Sequence, residues 1–250
     1  MPQSCGSTTS SWAYSAPTTR GLDQREWSVF ECSGCSHQYM NPQPSWEELQ
    51  FYYNNSYDPY DPVHGSQNED DRMIELAKRT GVFRHIPVPM GKRLLDVGCG
   101  AGWFLRISKK LGASSKAWSR ANTPPDSHGN RACVYFTGRW SHTFEQAPGA
   151  TQFDIITANH VVEHVPEPVE TLRAIKRLLA PGGFAWIAVP NASYPICGAL
   201  KGLWHITDLP YHLMQFTPLS MAEAGRGNDF DITVVLLPVD FSSLCCAKNA

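Results

Sequence analysis

The sequence predicts an α/β fold: a doubly wound, mostly parallel sheet with helices on both faces and a small N-terminal extension. Three observations carry this. Leu94 to Val97, Phe153 to Ala158 and Phe184 to Val189 are short, apolar runs, as strands buried on both faces should be. Stretches with helical spacing separate them: Phe104, Leu105, Ile107 and Leu111 after the first, and Val169, Leu172, Ile175 and Leu179 after the second. Gly98, Gly100 and Gly102 join the first strand to the first helix, a turn that opens a βαβ unit.

Composition sets the outer bounds. A chain of 250 residues, 42% of them hydrophobic, can bury one core of ordinary size with small additions. A formal charge of −2 argues against a general nucleic-acid or membrane-surface binder, which would carry a basic excess. No apolar run is long enough to span a bilayer. The start, Met1 to Cys5, lacks the basic-then-apolar layout of a secretion signal, so a cytoplasmic location is expected. The eight cysteines are scattered, and in a reducing compartment most should be free thiols.

In chain order, residues 1–25 are rich in Ser, Thr and Gly and read as loop. Cys32-Ser33-Gly34-Cys35 follows. A C-x-x-C turn is half of a tetrahedral zinc site, and Cys5 and His37 are the further ligands within reach. The alternative is two free thiols. Ser45-Trp46-Glu47-Glu48 reads as a helix start in which Ser45 caps and Glu48 reaches back. Tyr52, Tyr53, Tyr57 and Tyr60 form an aromatic group that fits a lid or packing against the core equally well. Asn68 to Arg84 reads as a helix, acidic at its start and basic at its end as the helix dipole prefers. Pro87, Pro89 and Gly91 close a linker. The expected parts are therefore 1–60, an N-terminal segment; 61–89, a helix and linker with lid potential; and 90–250, the main domain.

The glycine turn carries the functional expectation. Bare backbone there admits something close. The dinucleotide fingerprint G-x-G-x-x-G fails, because Trp103 stands at its third glycine. Asp96 sits just before the turn. Its charge would repel a pyrophosphate and attract a cation, which favours a ligand with adenosine and positive charge but no phosphate. A glycine turn with no ligand is the plainer alternative.

Three motifs now resemble one family. Leu94 to Leu105 is similar to the first motif of class I S-adenosylmethionine-dependent methyltransferases. Phe153 to Val165 resembles their fourth-strand segment, and Leu178-Leu179-Ala180-Pro181-Gly182-Gly183 their signature before strand five. The resemblance implies a Rossmann-like sheet with S-adenosyl-L-methionine held by Asp96, Gly98, Cys99, Gly100, Gly102, Asn159 and His160. It implies an acid at the end of strand two to grip the ribose. Ala113 to Asn122 is a poor strand and offers none; Ser119 stands in that place, with Asn122 and Asp126 as alternatives. Ala132 to Thr137 reads as strand three, with Gly138 at its carboxyl end near the adenine. The family also implies a seventh, antiparallel strand, for which only Phe241 to Ala250 remains, so the sheet is expected to lack it or hold it short.

Cys32 to Tyr39, followed by Asn41-Pro42-Gln43-Pro44 and Tyr52 to Tyr57, resembles the N-terminal zinc-ribbon region of some sugar and natural-product methyltransferases. In those relatives an earlier C-x-x-C precedes, and this chain starts too late to hold that pair whole. The implied acceptor is a small molecule or a sugar, methylated at oxygen or carbon. Imidazoles titrate near neutral pH, so His212, His164 and His160 are the candidate bases, with His205 and Asp208 behind them. His160-Val161-Val162 after Asn159 departs from the pattern of enzymes that methylate base amino groups. Two readings stand beside methyl transfer: a non-catalytic protein with a degenerate cofactor pocket, and a nicotinamide-dependent oxidoreductase.

Overall fold

The computed structural model describes residues 5–56, 72, 74–75, 89–100, 102–118, 152–201, 207–228, 230–236 and 242–248. Most of the expected helix 68–84, the expected third strand, and Ser119, Asn122, Asp126, Gly138, His205, Tyr57 and Tyr60 lie outside the described residues.

The main sheet holds β4 (Arg93–Val97), β5 (Ser114–Trp118), β6 (Phe153–Asn159), β7 (Leu179–Pro190), β9 (Asp231–Leu236) and β10 (Ser242–Lys248) in the order β5-β4-β6-β7-β10-β9. β5, β4, β6 and β7 pair in parallel, while β10 runs antiparallel to both of its neighbours. The last strand, which the sequence left open, is present over seven residues, and β7 and β9 pair with it on its two sides.

Alternation along the central strands covers both faces. Leu94, Ile155, Trp186 and Ala188 pack with Phe104 and Leu105 of α2 (Trp103–Lys110). Leu95, Val97, Ile156, Ala158, Ile187 and Val189 enter a larger core with Leu172 and Ile175 of α3 (Pro168–Leu178). That core also takes Met221 and Ala224 of α5 (Pro218–Arg226), beyond the short α4 (Pro195–Leu200). Successive side chains of a strand point to opposite faces, so each run of apolar residues supplies two layers.

Two departures from the sequence reading concern strands. Residues 1–25 were expected as loop, yet β1 (Ser10–Pro17) pairs antiparallel with β2 (Glu26–Cys32). Tyr14 and Ala16 alternate inward there, a period masked by the serines between them. β3 (Gln38–Met40) continues this sheet and β8 (Met214–Gln215) completes it, so the small sheet takes its strands from widely separated parts of the chain. Its Trp27, Val29 and Met40 share the larger core. The second departure is at Pro181-Gly182-Gly183, expected to stop a helix before strand five. β7 already starts at Leu179, and the register jumps from Phe153↔Leu179 to Ile155↔Phe184. The extra residues bulge, with Gly182 at φ +70.

Local signals held where they were local. Glu48 N donates to Ser45 Oγ at 3.2 Å and Ser45 N to Glu48 Oε2 at 2.8 Å, the reciprocal cap expected at the start of α1 (Trp46–Ser56). Thr217 caps α5 in the same way with Ser220. No helix among the described residues is long and apolar enough to cross a membrane.

Candidate active site

The strand order reverses between β4 and β6. β5 lies to one side of β4, and the chain then crosses to β6 and β7 on the other. In open α/β sheets the crevice at such a switch point, beyond the carboxyl ends of the strands, is where ligands bind. Gly98 to Gly100 and Gly102 follow β4 there, and His160 and Val161 follow β6. The two segments touch: a Cβ on Gly98 would lie 2.3 Å from Val161 Cγ2. Gly98, Gly100 and Gly102 have φ of 68, 51 and 78°, left-handed values that glycine adopts without strain. A Cβ at Gly102 would meet nothing within 4 Å, so that side of the turn is open to a ligand. Cys99 is buried in the turn, its Sγ toward Gly100 O at 3.7 Å.

Asp96 is not displayed at the mouth of the turn, as the sequence suggested. It is 3% exposed, and its Oδ1 accepts from Thr157 Oγ1 at 2.6 Å on the neighbouring strand. Burial raises its pKa to about 7, against the lowering effect of the Thr157 hydroxyl. The alternation that sends Leu95 and Val97 to one face leaves Asp96 between packed strands. Asn159 is similarly turned inward, with its Oδ1 accepting from Trp186 Nε1 at 3.1 Å.

The candidate bases converge. His160 follows β6 directly at φ 52°, with its ring about half exposed. A 3-10 turn, Val162–His164, follows. His164 comes within 4.6 Å, ring to ring, of His212, which is 8% exposed on the loop before β8. Nδ1 of His164 lies 3.0 Å from the Tyr211 carbonyl and 3.2 Å from the Tyr53 hydroxyl. A carbonyl only accepts, so Nδ1 carries the proton and Nε2 keeps a lone pair. Burial first, and then the neighbouring His212, lower the His164 pKa to about 4.

Three further residues build this cluster, of which the sequence reading left only Arg20 aside. Glu163 is 1% exposed, and neither carboxylate oxygen is hydrogen-bonded; His160 Nδ1 lies 3.3 Å from Oε1. Tyr53 belongs to the aromatic group, and its neighbour Tyr52 packs edge-on against Trp27 and Tyr211. Arg20 grips Asp208 with two bonds, Nε to Oδ1 at 3.0 Å and Nη2 to Oδ2 at 2.7 Å. Asp208 is therefore an anchor for the His212 loop, not a base. The adjacent Leu209 N donates to Thr19 Oγ1 at 2.8 Å. Arg20→Ala should cost about 1–3 kcal/mol, since Asp208 would stay largely buried without its partner. A denaturation midpoint unchanged from wild type would show that the grip is ornamental.

A second group lies at the end of β2. The Sγ atoms of Cys5, Cys32 and Cys35 are all within 4.8 Å of one another, with Cys5 to Cys32 at 3.5 Å. Burial opposes ionisation of Cys32, but N–H donation from Gly34 and Cys35 outweighs it and draws that thiol down to about 7. Burial instead pushes the Cys35 thiol up to about 12. His37 is not part of this group. Its ring is buried, with Nδ1 3.3 Å from Ser220 Oγ and Nε2 3.4 Å from Met214 Sδ. It packs instead against Phe216.

A family profile described as a methyltransferase domain matches residues 67–235. The chain belongs to this methyltransferase family. The ubiquinone biosynthesis O-methyltransferase of Caulobacter sp. strain K31 is 39% identical over 110 residues, 40% of this chain and 42% of that protein. That of Pseudomonas aeruginosa strain LESB58 is 32% identical over 107 residues, 40% of this chain and 45% of that protein. The chain thus spans less than half the length of these curated relatives. Among solved structures, an S-adenosylmethionine-dependent methyltransferase from Archaeoglobus fulgidus superposes with a TM-score of 0.56 at 17% identity, covering 82% of this chain and 100% of that one. This likeness shows that the methyltransferase domain has the doubly wound fold.

Proposed function

We propose that the protein moves the methyl group of S-adenosyl-L-methionine to an oxygen or carbon of a small-molecule or sugar acceptor. The observation that carries this is the glycine turn at the switch point, open at Gly102, with His164 just beyond the neighbouring strand stacked edge-on against His212 of the loop before β8. The cofactor, when bound, supplies a methyl group activated by a sulfonium. The chain supplies position and field. The turn from Gly98 to Gly102 admits the ligand to the backbone, and Asp96, once ionised, places a negative charge beneath it. Asn159 and His160 border the other wall. Ser119 and Gly138 remain part of the proposal for the ribose and adenine. His164 offers a lone pair at Nε2 and His212 a second imidazole, either of which can accept the acceptor's proton. The relatives' names favour oxygen as the acceptor atom.

Calorimetry with S-adenosylmethionine, S-adenosylhomocysteine and NAD tests the reading. Heat is expected with the two sulfur ligands and none with NAD. Silence with both sulfur ligands would end it, and binding without turnover on any acceptor would favour a non-catalytic cofactor-binding protein.

We also propose that Cys5, Cys32 and Cys35 hold a zinc ion. Their mutual distances and the N–H donors around Cys32 support this. Protein purified without added zinc should carry the metal, and Cys32→Ser should lose about one equivalent by elemental analysis. Equal zinc content in wild type and variant would refute it.

A further inference from the structure

Glu163 is the least comfortable side chain among the described residues. Both of its oxygens are shut away from solvent without a hydrogen bond. Buried carboxylates are ordinarily hydrogen-bonded, paired with a charge, or bound to metal. The approach of His160 Nδ1 at 3.3 Å is not aligned as a hydrogen bond.

Around that carboxylate the fold gathers the right donors. One oxygen of Glu163 and one ring nitrogen each of His164 and His212 all lie within 4.8 Å of one another. Three donors about 2.1 Å from one tetrahedral ion lie about 3.4 Å from each other. Binding therefore draws the most widely spaced of these atoms together by up to about 1.4 Å. His164 also has one feature of a ligating imidazole: its Nδ1 lies 3.0 Å from the Tyr211 carbonyl, a contact that orients the ring. The Arg20–Asp208 pair holds the loop that delivers His212.

We propose that Glu163, His164 and His212 bind a divalent transition-metal ion of the zinc, cobalt or manganese class. Two imidazoles and one carboxylate suit such ions better than magnesium or calcium, which prefer oxygen. Three protein ligands leave an open position, as at catalytic rather than structural sites. Resting on the methyl-transfer reading, the site deepens it: the acceptor would be a hydroxyl compound whose oxygen fills that position and is polarised there. Ion and proton compete for the same lone pairs, so in the loaded chain the ion would acidify the bound hydroxyl, whose proton leaves to solvent as the oxygen takes the methyl group and S-adenosylhomocysteine departs.

The test uses the full chain, stripped with chelator and dialysed against cobalt(II). Wild type should take up an equivalent with visible bands free of sulfur-to-cobalt charge transfer, and this equivalent should persist in Cys32→Ser. The proton on His164 Nδ1 should give a strongly shifted, exchangeable NMR signal. Glu163→Gln and His212→Gln should each weaken this cobalt binding at least about tenfold. Cobalt held only by the thiols in wild type would overturn the proposal, as would either folded variant binding as tightly as wild type. If both variants fail to fold, the shifted imidazole signal of wild type decides. Calorimetry on the same sample separates the two claims. Cobalt at this site with no S-adenosylmethionine heat overturns the methyl-transfer reading and leaves the ion site standing; heat without cobalt uptake does the reverse.

Discussion

Gly98→Ala should destabilise the protein by about 2–5 kcal/mol and abolish measurable cofactor binding. Two costs add. An L-residue held at φ +68° pays about 1–2 kcal/mol of left-handed strain. The new Cβ would also stand 2.3 Å from Val161 Cγ2, a separation real Cβ atoms do not show. Val161 is β-branched and buried, so it has no rotamer into which to retreat, and overpacking of this kind costs about 1–3 kcal/mol. In a chain of this length that corresponds to a fall in melting temperature of roughly 5–20 °C. The mechanism has its own check. Val161→Ala removes the opposing methyl groups, so the double variant should recover the steric part and leave only the strain. A double variant no more stable than Gly98→Ala would assign the whole cost to backbone strain. Gly102→Ala is the counterpart: strained at φ +78° but open, it should weaken the cofactor with a smaller loss of stability.

Asp96→Asn should stabilise the protein at pH 8 relative to pH 5, unusually for a change at a motif position. Folding raises the Asp96 pKa from 3.8 to about 7, chiefly through burial. A raised pKa means that the folded state holds the proton longer than the unfolded chain. The group's stabilising contribution is full below about pH 4 and is lost as pH rises through about 7. Asparagine has no proton to lose, and its side-chain oxygen can still accept from Thr157. The variant's advantage over wild type should therefore grow by about 2–3 kcal/mol between pH 5 and pH 8. Denaturant melts of both proteins at the two pH values measure it. A difference that stays constant would mean that Asp96 ionises like an exposed carboxyl. The same variant should bind a cationic ligand more weakly at pH 8, where wild-type Asp96 is charged.

The candidate site was legible in proportion to how local its parts are. The turn after β4 could be read because Gly98, Gly100 and Gly102 act on their own backbone. The histidines could be shortlisted by chemistry, but not assembled: His164 and His212 are far apart in the chain, and no spacing rule brings them together. Glu163 stood in plain view beside His164, yet its missing hydrogen bonds exist only once both neighbouring segments are packed. His37 and Cys35 sit close in sequence, yet His37 packs against Met214, Phe216 and Ser220, partners distant in the chain, and not with the thiols.

By itself the sequence determined the short-range features of this protein: the doubly wound pattern, the central strands, the glycine turn, and the caps at Ser45 and Thr217. Each depends on sterics or hydrogen bonds reaching only a few residues. Tertiary structure alone decided the rest. It made a strand of the Ser-rich N-terminus, started β7 at Leu179 and completed the sheet with β10, because strand pairing is settled by a partner distant in the chain. It also buried Asp96 against Thr157, because a side chain's exposure depends on what the neighbouring strand places over it.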